Sequence, residues 1–304
     1  MRNLHFSVLI AVLSTFVIFT SQAETSKSVM TLNYLEGEMQ VKQNGNWVNV
    51  QIGDKFPYET LVKLSGDSIA EISGNGSSLT ITRAGIYSLE DLLNRKKRVF
   101  TSGLVAAFKN LYKYFRGTGR QASGTAMGVR GAAVEDFSSG MEWVSEEDSY
   151  LNEAEDLIKD GDFAEAISVL KEGLNSSKDP DVIQEYRYHL GYSYAMFGKN
   201  ARALSYLSKV EADESMPYFG DLILIKGQLL MDSLNFKDAL KLFNLYLEKY
   251  PDSSSSQLLY FLSGICYREL NKKEDAVKDL KTALKIDPTS DIGTAADKEL
   301  KALE

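Results

Sequence analysis

The second half of this chain repeats itself. Alanine recurs at intervals of 37, 36 and 37 residues, at Ala166, Ala203, Ala239 and Ala276. Twelve residues before each alanine comes a small residue, namely Ala154, Gly191, Gly227 and Gly264. Four residues after each comes a large apolar one, namely Leu170, Leu207, Phe243 and Leu280. A period of this length with these residue types predicts a stacked array of helical hairpins over residues 146–304. Such arrays present extended binding surfaces, which favours binding over catalysis.

The last repeat carries a recognisable pattern. The stretch GICYRELNKKEDAVKDLKTALKIDP resembles the tetratricopeptide repeat, and its matching positions are Gly264, Tyr267, Ala276, Leu280, Ala283 and Pro288. The third repeat matches at Gly227, Leu230, Ala239, Phe243, Tyr246 and Pro251, whereas the first has Ala154 in place of glycine. The resemblance implies an α-helical solenoid of four hairpins. Residues 292–303 form a further amphipathic segment, which we expect to cap the exposed end of the stack.

The same resemblance implies a groove lined by the first helix of each hairpin. The family's groove positions correspond here to Tyr188, Tyr192, Met196, Leu224, Gln228, Met231, Leu258, Phe261, Ile265 and Arg268. These residues are mostly apolar and aromatic, which suits a protein or peptide ligand. The alternative is that they face an additional helix of the same chain, such as a basic helix over residues 104–116.

Residues 31–91 have a different pattern. Short alternating runs typical of β-strands are separated by turn signals, including Asn44-Gly45 and Asn75-Gly76. Both dipeptides favour tight hairpins, because their residues tolerate positive φ angles. Several short strands with evenly spaced turns predict a small all-β barrel or sandwich. The predicted fold class is therefore multidomain, with an all-β domain followed by an all-α solenoid.

The β region resembles the FecR domain of bacterial envelope proteins. The resemblance lies in LEGEMQVKQNGNWVNVQIGDKF, ETLVKLSGDSIAEISGNGSSLTI and GTAMGVRGAAVE. It implies a role in the cell envelope. The family's signalling members span the inner membrane and carry a cytoplasmic arm, but only a few residues precede the apolar run here. We therefore do not expect this chain to bind a sigma factor.

The first 23 residues predict export. Arg2 is followed by an uncharged apolar run over residues 6–19, and small residues occupy the last and third-last positions before Glu24. This is the layout of a secretory signal peptide, which we expect to be cleaved after Ala23, leaving no transmembrane segment. The predicted location is the periplasm or cell envelope. The alternative is an uncleaved membrane anchor.

Charge divides the chain unevenly. Residues 24–145 carry a net charge of +2 and residues 146–304 a net charge of −11. The connector, residues 92–145, has no acidic residue before Glu135, and its predicted basic surface comprises Arg95, Lys96, Lys97, Arg98, Lys109, Lys113 and Arg116. A basic surface fits an anionic partner or membrane surface. It equally fits packing against the acidic repeats of the same chain. A Gly- and Ser-rich loop is expected over residues 117–131.

Residues suited to catalysis are scarce. Beyond the signal segment there is one histidine, His189, and one cysteine, Cys266, so we predict no catalytic residue, no metal site and no cofactor. The predicted function is a non-enzymatic envelope scaffold or sensor that binds a protein or peptide and not nucleic acid. The alternative is a cell-wall module whose FecR-like domain binds peptidoglycan while the repeats recruit a partner. A carboxylate-dependent hydrolase is the third, more remote hypothesis.

Overall fold

The computed structural model describes residues 29–100, Leu104 and residues 146–303. The predicted signal segment and most of the connector lie outside these residues, and so does the predicted loop over residues 117–131. Within the described part, a small antiparallel β region is followed by a region of helical hairpins. Two of the three classes of element that the sequence predicts are therefore present in the predicted order.

Eight short strands form two antiparallel sheets. They are β1 (Val29–Glu36), β2 (Met39–Gln43), β3 (Asn46–Asn49), β4 (Lys55–Pro57), β5 (Leu61–Leu64), β6 (Ile69–Gly74), β7 (Ser77–Ile81) and β8 (Gly85–Ser88). The strand order is β4-β1-β6-β7 in the first sheet and β3-β2-β5-β8 in the second. Each sheet keeps two free edges, so the described strands form no closed barrel. Of the two predicted architectures, the sandwich is the one observed.

The two predicted hairpin turns are confirmed. Asn44 and Gly45 have φ angles of 49° and 86°, and they connect β2 to β3. Asn75 and Gly76 have φ angles of 52° and 71°, and they connect β6 to β7. Both turns therefore use the left-handed backbone that asparagine and glycine accept at low cost. The core between the sheets contains Met30 and Leu32 from one sheet and Val41 and Val62 from the other, all fully buried.

Ten helices follow the strands. Helix α1 (Leu89–Val99) leads out of β8, and its first turn is capped by the Ser88 side chain, which accepts from the backbone N–H of Asp91. The hairpins are α2/α3 (Glu146–Asp160, Phe163–Ser176), α4/α5 (Pro180–Met196, Asn200–Leu207), α6/α7 (Phe219–Asp232, Phe236–Lys249) and α8/α9 (Ser256–Glu269, Lys273–Ile286). Helix α10 (Asp291–Leu303) packs on the last hairpin.

The repeat pattern has a direct packing explanation. The small residue in the first helix of a hairpin lies against the large residue sixteen positions later in the second helix. A Cβ added at Gly264 would lie 2.6 Å from Leu280 Cγ, and one added at Gly227 would overlap the ring of Phe243. Gly191 has the same relationship with Leu207. Glycine is thus required because the two helices of each hairpin approach more closely than a side chain allows.

Helix α1 connects the sandwich to the turns of the hairpins. Lys96 Nζ donates to the backbone oxygen of Ser78 (3.0 Å) and lies 2.8 Å from the Asp232 carboxylate. Asn200 donates to the same carboxylate at 3.3 Å. The Arg95 guanidinium donates to the Glu269 backbone oxygen at 3.3 Å. The sandwich and α1 therefore lie along the edge of the array that the turns within the second, third and fourth hairpins form.

Candidate binding groove

The predicted groove positions share one face of the array, which we call the inner face. Its ten residues come from α4, α6 and α8, and α4 is in contact with α6. Eight of the ten side chains are buried, and Leu258 and Arg268 are partly exposed. The buried ones are Tyr188, Tyr192, Met196, Leu224, Gln228, Met231, Phe261 and Ile265. The sequence led us to expect an open groove, and the structure corrects this: the inner face is covered.

The covering of the inner face has a physical reason. Its apolar side chains belong to one large core that runs through all four hairpins, because large residues fill the space between successive first helices. Val99 at the end of α1 and Leu104 in the connector belong to the same core, and they are 1% and 0% exposed. The predicted helix over residues 104–116 lies, apart from Leu104, outside the described residues. That the inner face binds a partner stays a prediction.

The two polar members of the inner face behave differently. Arg268 is engaged, since its guanidinium pairs with the carboxylates of Glu269 and Glu299. Glu299 belongs to α10, so Arg268 attaches the capping helix to the last hairpin instead of facing a ligand. Gln228 is 6% exposed and lies in the middle of α6.

Aromatic rings cluster at the second hairpin. The Tyr188 ring stacks on Tyr218 with centroids 4.0 Å apart and meets the His189 ring edge-on at 5.1 Å. Burial raises the pKa of Tyr218 to about 12, and the charges of Glu185 and Asp181 add to this effect. Aromatic pairs in such arrangements contribute about 0.5–1.5 kcal/mol beyond their buried area, so the cluster holds these rings in fixed orientations.

His189 has an unusual environment. Burial lowers its pKa to about 4, so the imidazole is neutral at pH 7. Its Nε2 lies 3.9 Å from a carboxylate oxygen of Glu155, and this contact is therefore not an ion pair at neutral pH. Glu185, four residues earlier on α4, completes a group of three metal-binding side chains. The sequence analysis missed this group; the Glu-x-x-x-His spacing at Glu185 and His189 was its only local signal.

Asp221 adds a buried charge to the inner face. It precedes Leu224 by three and Gln228 by seven residues on α6, so the three side chains share one side of the helix. Burial raises the pKa of Asp221 to about 6. A carboxylate in this position favours a ligand that brings a positive charge, since the pairing would offset the cost of burial.

The predicted basic surface is only partly free. Arg95 and Lys96 contact the turns of the hairpins, as described above, and the Arg95 guanidinium also lies 5.4 Å from the ring centroid of Phe236. Lys97 and Arg98 are exposed. Lys109, Lys113 and Arg116 lie outside the described residues. For Arg95 and Lys96, the structure thus favours packing against the chain's own repeats over an anionic partner.

A cavity of about 500 Å³ lies between the sandwich, α1 and the hairpins. Glu71 and Asp232 contribute negative charge to its wall, and Lys96 and Lys97 contribute positive charge. The Glu71 carboxylate accepts from the backbone N–H of Ala201, and Asp232 already pairs with Lys96. Its charges are balanced internally, so the cavity has no clear preference for an anion or a cation.

The single cysteine is not placed for catalysis. Cys266 is fully buried in α8, and burial raises the pKa of its thiol, which keeps it protonated and unreactive. His189 lies two hairpins earlier in the array. The two residues that sequence reasoning considered for nucleophilic chemistry are therefore not brought together.

These observations define the class of protein as an array of helical hairpins with a small β-sandwich docked along one edge. Comparison with family models agrees for the helical part: models described as tetratricopeptide repeat match residues 151–217 and 258–290. The same comparison finds no FecR domain, so that resemblance stays a prediction. No curated protein shows significant sequence similarity to the chain.

Solved structures with similar folds include two with legible descriptions. MamA 41-end from Desulfovibrio magneticus RS-1 is 21% identical, with a TM-score of 0.42 over 52% of this chain and 93% of that chain. The apo form of RapI is 22% identical, with a TM-score of 0.43 over 52% of this chain and 63% of that chain. Among the described residues, no helix has both the length and the apolar character needed to span a bilayer.

Proposed function

We propose that this protein is a non-catalytic scaffold that holds a protein partner on the inner face of its helical repeats. The match to tetratricopeptide repeats supports this, since such arrays bind other proteins through the first helices of their hairpins. The chemistry of the inner face supports it too. Aromatic side chains in α4 and apolar side chains in α6 and α8 suit an amphipathic helix or an extended peptide.

The observation that carries the proposal is the position of Asp221. A half-buried carboxylate with a raised pKa lies on the same side of α6 as Leu224 and Gln228, between the aromatic residues of α4 and the apolar residues of α8. A ligand that places one basic side chain next to Asp221, with apolar side chains before and after it, would complement this face. We therefore expect an amphipathic partner segment with an isolated Lys or Arg.

Burial of the inner face has a consequence for binding. A partner reaches Tyr192 or Phe261 only if it replaces whatever covers them. The connector is the competing occupant within this chain, because Val99 and Leu104 already belong to the same core. The scaffold hypothesis and the intramolecular alternative thus compete for the same ten residues.

Photo-cross-linking separates them. A photo-reactive amino acid replaces Tyr192, the protein is produced in its native envelope, and cross-linked products are identified by mass spectrometry. One dominant foreign protein is the expected result. Cross-links confined to residues 92–130 of the same chain would overturn the proposal. The matched control is the same amino acid at Leu245, which is 45% exposed on α7 and should give no dominant product.

We further infer that the scaffold acts in the periplasm or cell envelope. The apolar run over residues 6–19 and the small residues before Glu24 support this. No feature of the described strands favours the cell-wall alternative, and it is not proposed here.

A further inference from the structure

Three side chains with metal-binding atoms meet at the first two hairpins. Glu155 lies on α2, and Glu185 and His189 lie on α4. One donor atom from each residue lies within 4.8 Å of the others, and the distance between Glu155 Oε1 and His189 Nε2 is 3.9 Å. We call this group the Glu–Glu–His cluster.

The fold explains the juxtaposition. Residues four apart on a helix share one face, so Glu185 and His189 project from the same side of α4. Helices α2 and α4 are the first helices of adjacent hairpins and are in contact, which brings Glu155 to that side. The His189 side chain is 15% exposed and that of Glu155 is 40% exposed, so an ion can reach the cluster from solvent.

We propose that Glu155, Glu185 and His189 bind a divalent transition-metal ion, of which Zn²⁺ fits best. Zn²⁺ takes imidazole nitrogen and carboxylate oxygen ligands at about 2.0–2.2 Å, usually with tetrahedral geometry. Ligand atoms in such a site lie about 3.4 Å apart, so the three donor atoms must approach one another by roughly 1 Å. Rotation of the two glutamate side chains supplies this movement. The three residues leave a fourth position for water or a partner's side chain.

The surroundings suit a bound cation. Asp181 lies one turn before Glu185 on α4, and residues 146–304 carry a net charge of −11. The rings of Tyr188 and Tyr218 lie 5.1 and 6.4 Å from the His189 ring, between centroids, and hold the imidazole in place. Groups that fix the orientation of a ligating histidine improve metal affinity. The bound ion would link the first hairpin to the second, whether or not the inner face binds a protein.

Zinc titration of the full, untagged chain tests the proposal. The protein is stripped with a chelator, and Zn²⁺ is added in competition with a chromophoric chelator. We expect one Zn²⁺ per chain with micromolar or tighter affinity. Replacing Zn²⁺ with Co²⁺ should give the visible absorption of a four-coordinate site, a readout that does not depend on stability. Millimolar or substoichiometric binding would overturn the proposal.

Variants locate the site. Glu155→Gln and Glu185→Gln should each reduce zinc affinity at least tenfold and weaken the Co²⁺ spectrum. Glu153→Gln, which alters an exposed carboxylate on the same helix as Glu155, should leave both unchanged. Circular dichroism of each variant confirms that it folds. If wild-type affinity persists in both cluster variants, the ion binds elsewhere and the assignment is wrong.

Discussion

The carboxylate of Glu36, on β1, accepts a hydrogen bond from the Ser205 hydroxyl on α5 and lies 3.0 Å from Lys209 Nζ. Burial alone would raise the pKa of Glu36, but hydrogen bonds from Ser205, Lys209 and Tyr34 outweigh it and leave that pKa below its usual range. One side chain of the sandwich therefore joins it to the second hairpin through two different partners.

The two partners of Glu36 should differ in their contribution to stability. Ser205 is 5% exposed, so Glu36→Ala leaves a buried hydroxyl without its acceptor and should lower the free energy of unfolding by about 1–3 kcal/mol. The Lys209 side chain is half exposed, so Lys209→Ala should change it by less than about 1 kcal/mol. Chemical denaturation measures both values. Equal losses in the two variants would show that the ion pair, and not the buried hydroxyl, stabilises the contact.

Gly227→Ala should destabilise the third hairpin. The added methyl group would overlap the buried Phe243 ring, and such overpacking costs about 1–3 kcal/mol. Gly220→Ala on the same helix is the control, since its methyl group would lie 3.5 Å from Tyr246 in ordinary contact. Thermal unfolding compares the two.

A second substitution tests the packing explanation directly. The first hairpin has Ala154 and Leu170 at the positions that Gly227 and Phe243 occupy in the third, and both are buried. The double variant Gly227→Ala/Phe243→Leu should therefore recover part of the stability that Gly227→Ala loses. No recovery would mean that the glycine is needed for its backbone and not for the space it leaves.

Asp221→Asn should stabilise the protein in a pH-dependent way. The folded-state pKa of Asp221 is raised from 3.8 to about 6, so the folded state becomes less stable as pH rises from about 4 to about 6. The full penalty, at most about 3 kcal/mol, is present above that range. The neutral amide removes it. We expect a higher free energy of unfolding at pH 7.5 and no gain at pH 4, measured by urea denaturation. Asp252→Asn, in an exposed turn, should change neither value, and an equal gain at both pH values would contradict the assignment to Asp221 ionisation.

Export makes a prediction about the mature chain. If residues 1–23 are a cleaved signal peptide, the protein recovered from the envelope should begin at Glu24. Intact-mass measurement of that material distinguishes this from an anchor, which would retain Met1 or Arg2. Ala23→Arg should block cleavage and yield the longer species.

Local rules predicted much of this fold. The Asn-Gly dipeptides predicted two hairpins because their backbone preference is intrinsic to the residues. The 37-residue pattern predicted the helical hairpins because Gly264 and Leu280 must pack together wherever the repeat occurs. The sequence did not distinguish a barrel from a sandwich, since closure depends on whether edge strands such as β3 and β8 meet, and short alternating runs are the same in both.

The site was harder to predict than the fold. Family spacing located Tyr192 and Phe261 on one face of the array, but burial depends on what packs against that face, which spacing does not contain. The Glu–Glu–His cluster was missed because Glu155 lies thirty residues before Glu185 and on a different helix. Only the stacking of hairpins brings them together.

The attachment of α1 to three successive turns changes the mechanics of the array. Helical-repeat proteins ordinarily bend and twist by small rotations between neighbouring units. Contacts from Lys96 to Asp232, from Arg95 to Glu269 and from Glu36 to Ser205 tie three units to one rigid body, so those rotations cannot occur independently. The curvature of the superhelix is thus set before any partner arrives. Association loses less conformational entropy as a result, and a partner whose shape does not match this curvature is rejected.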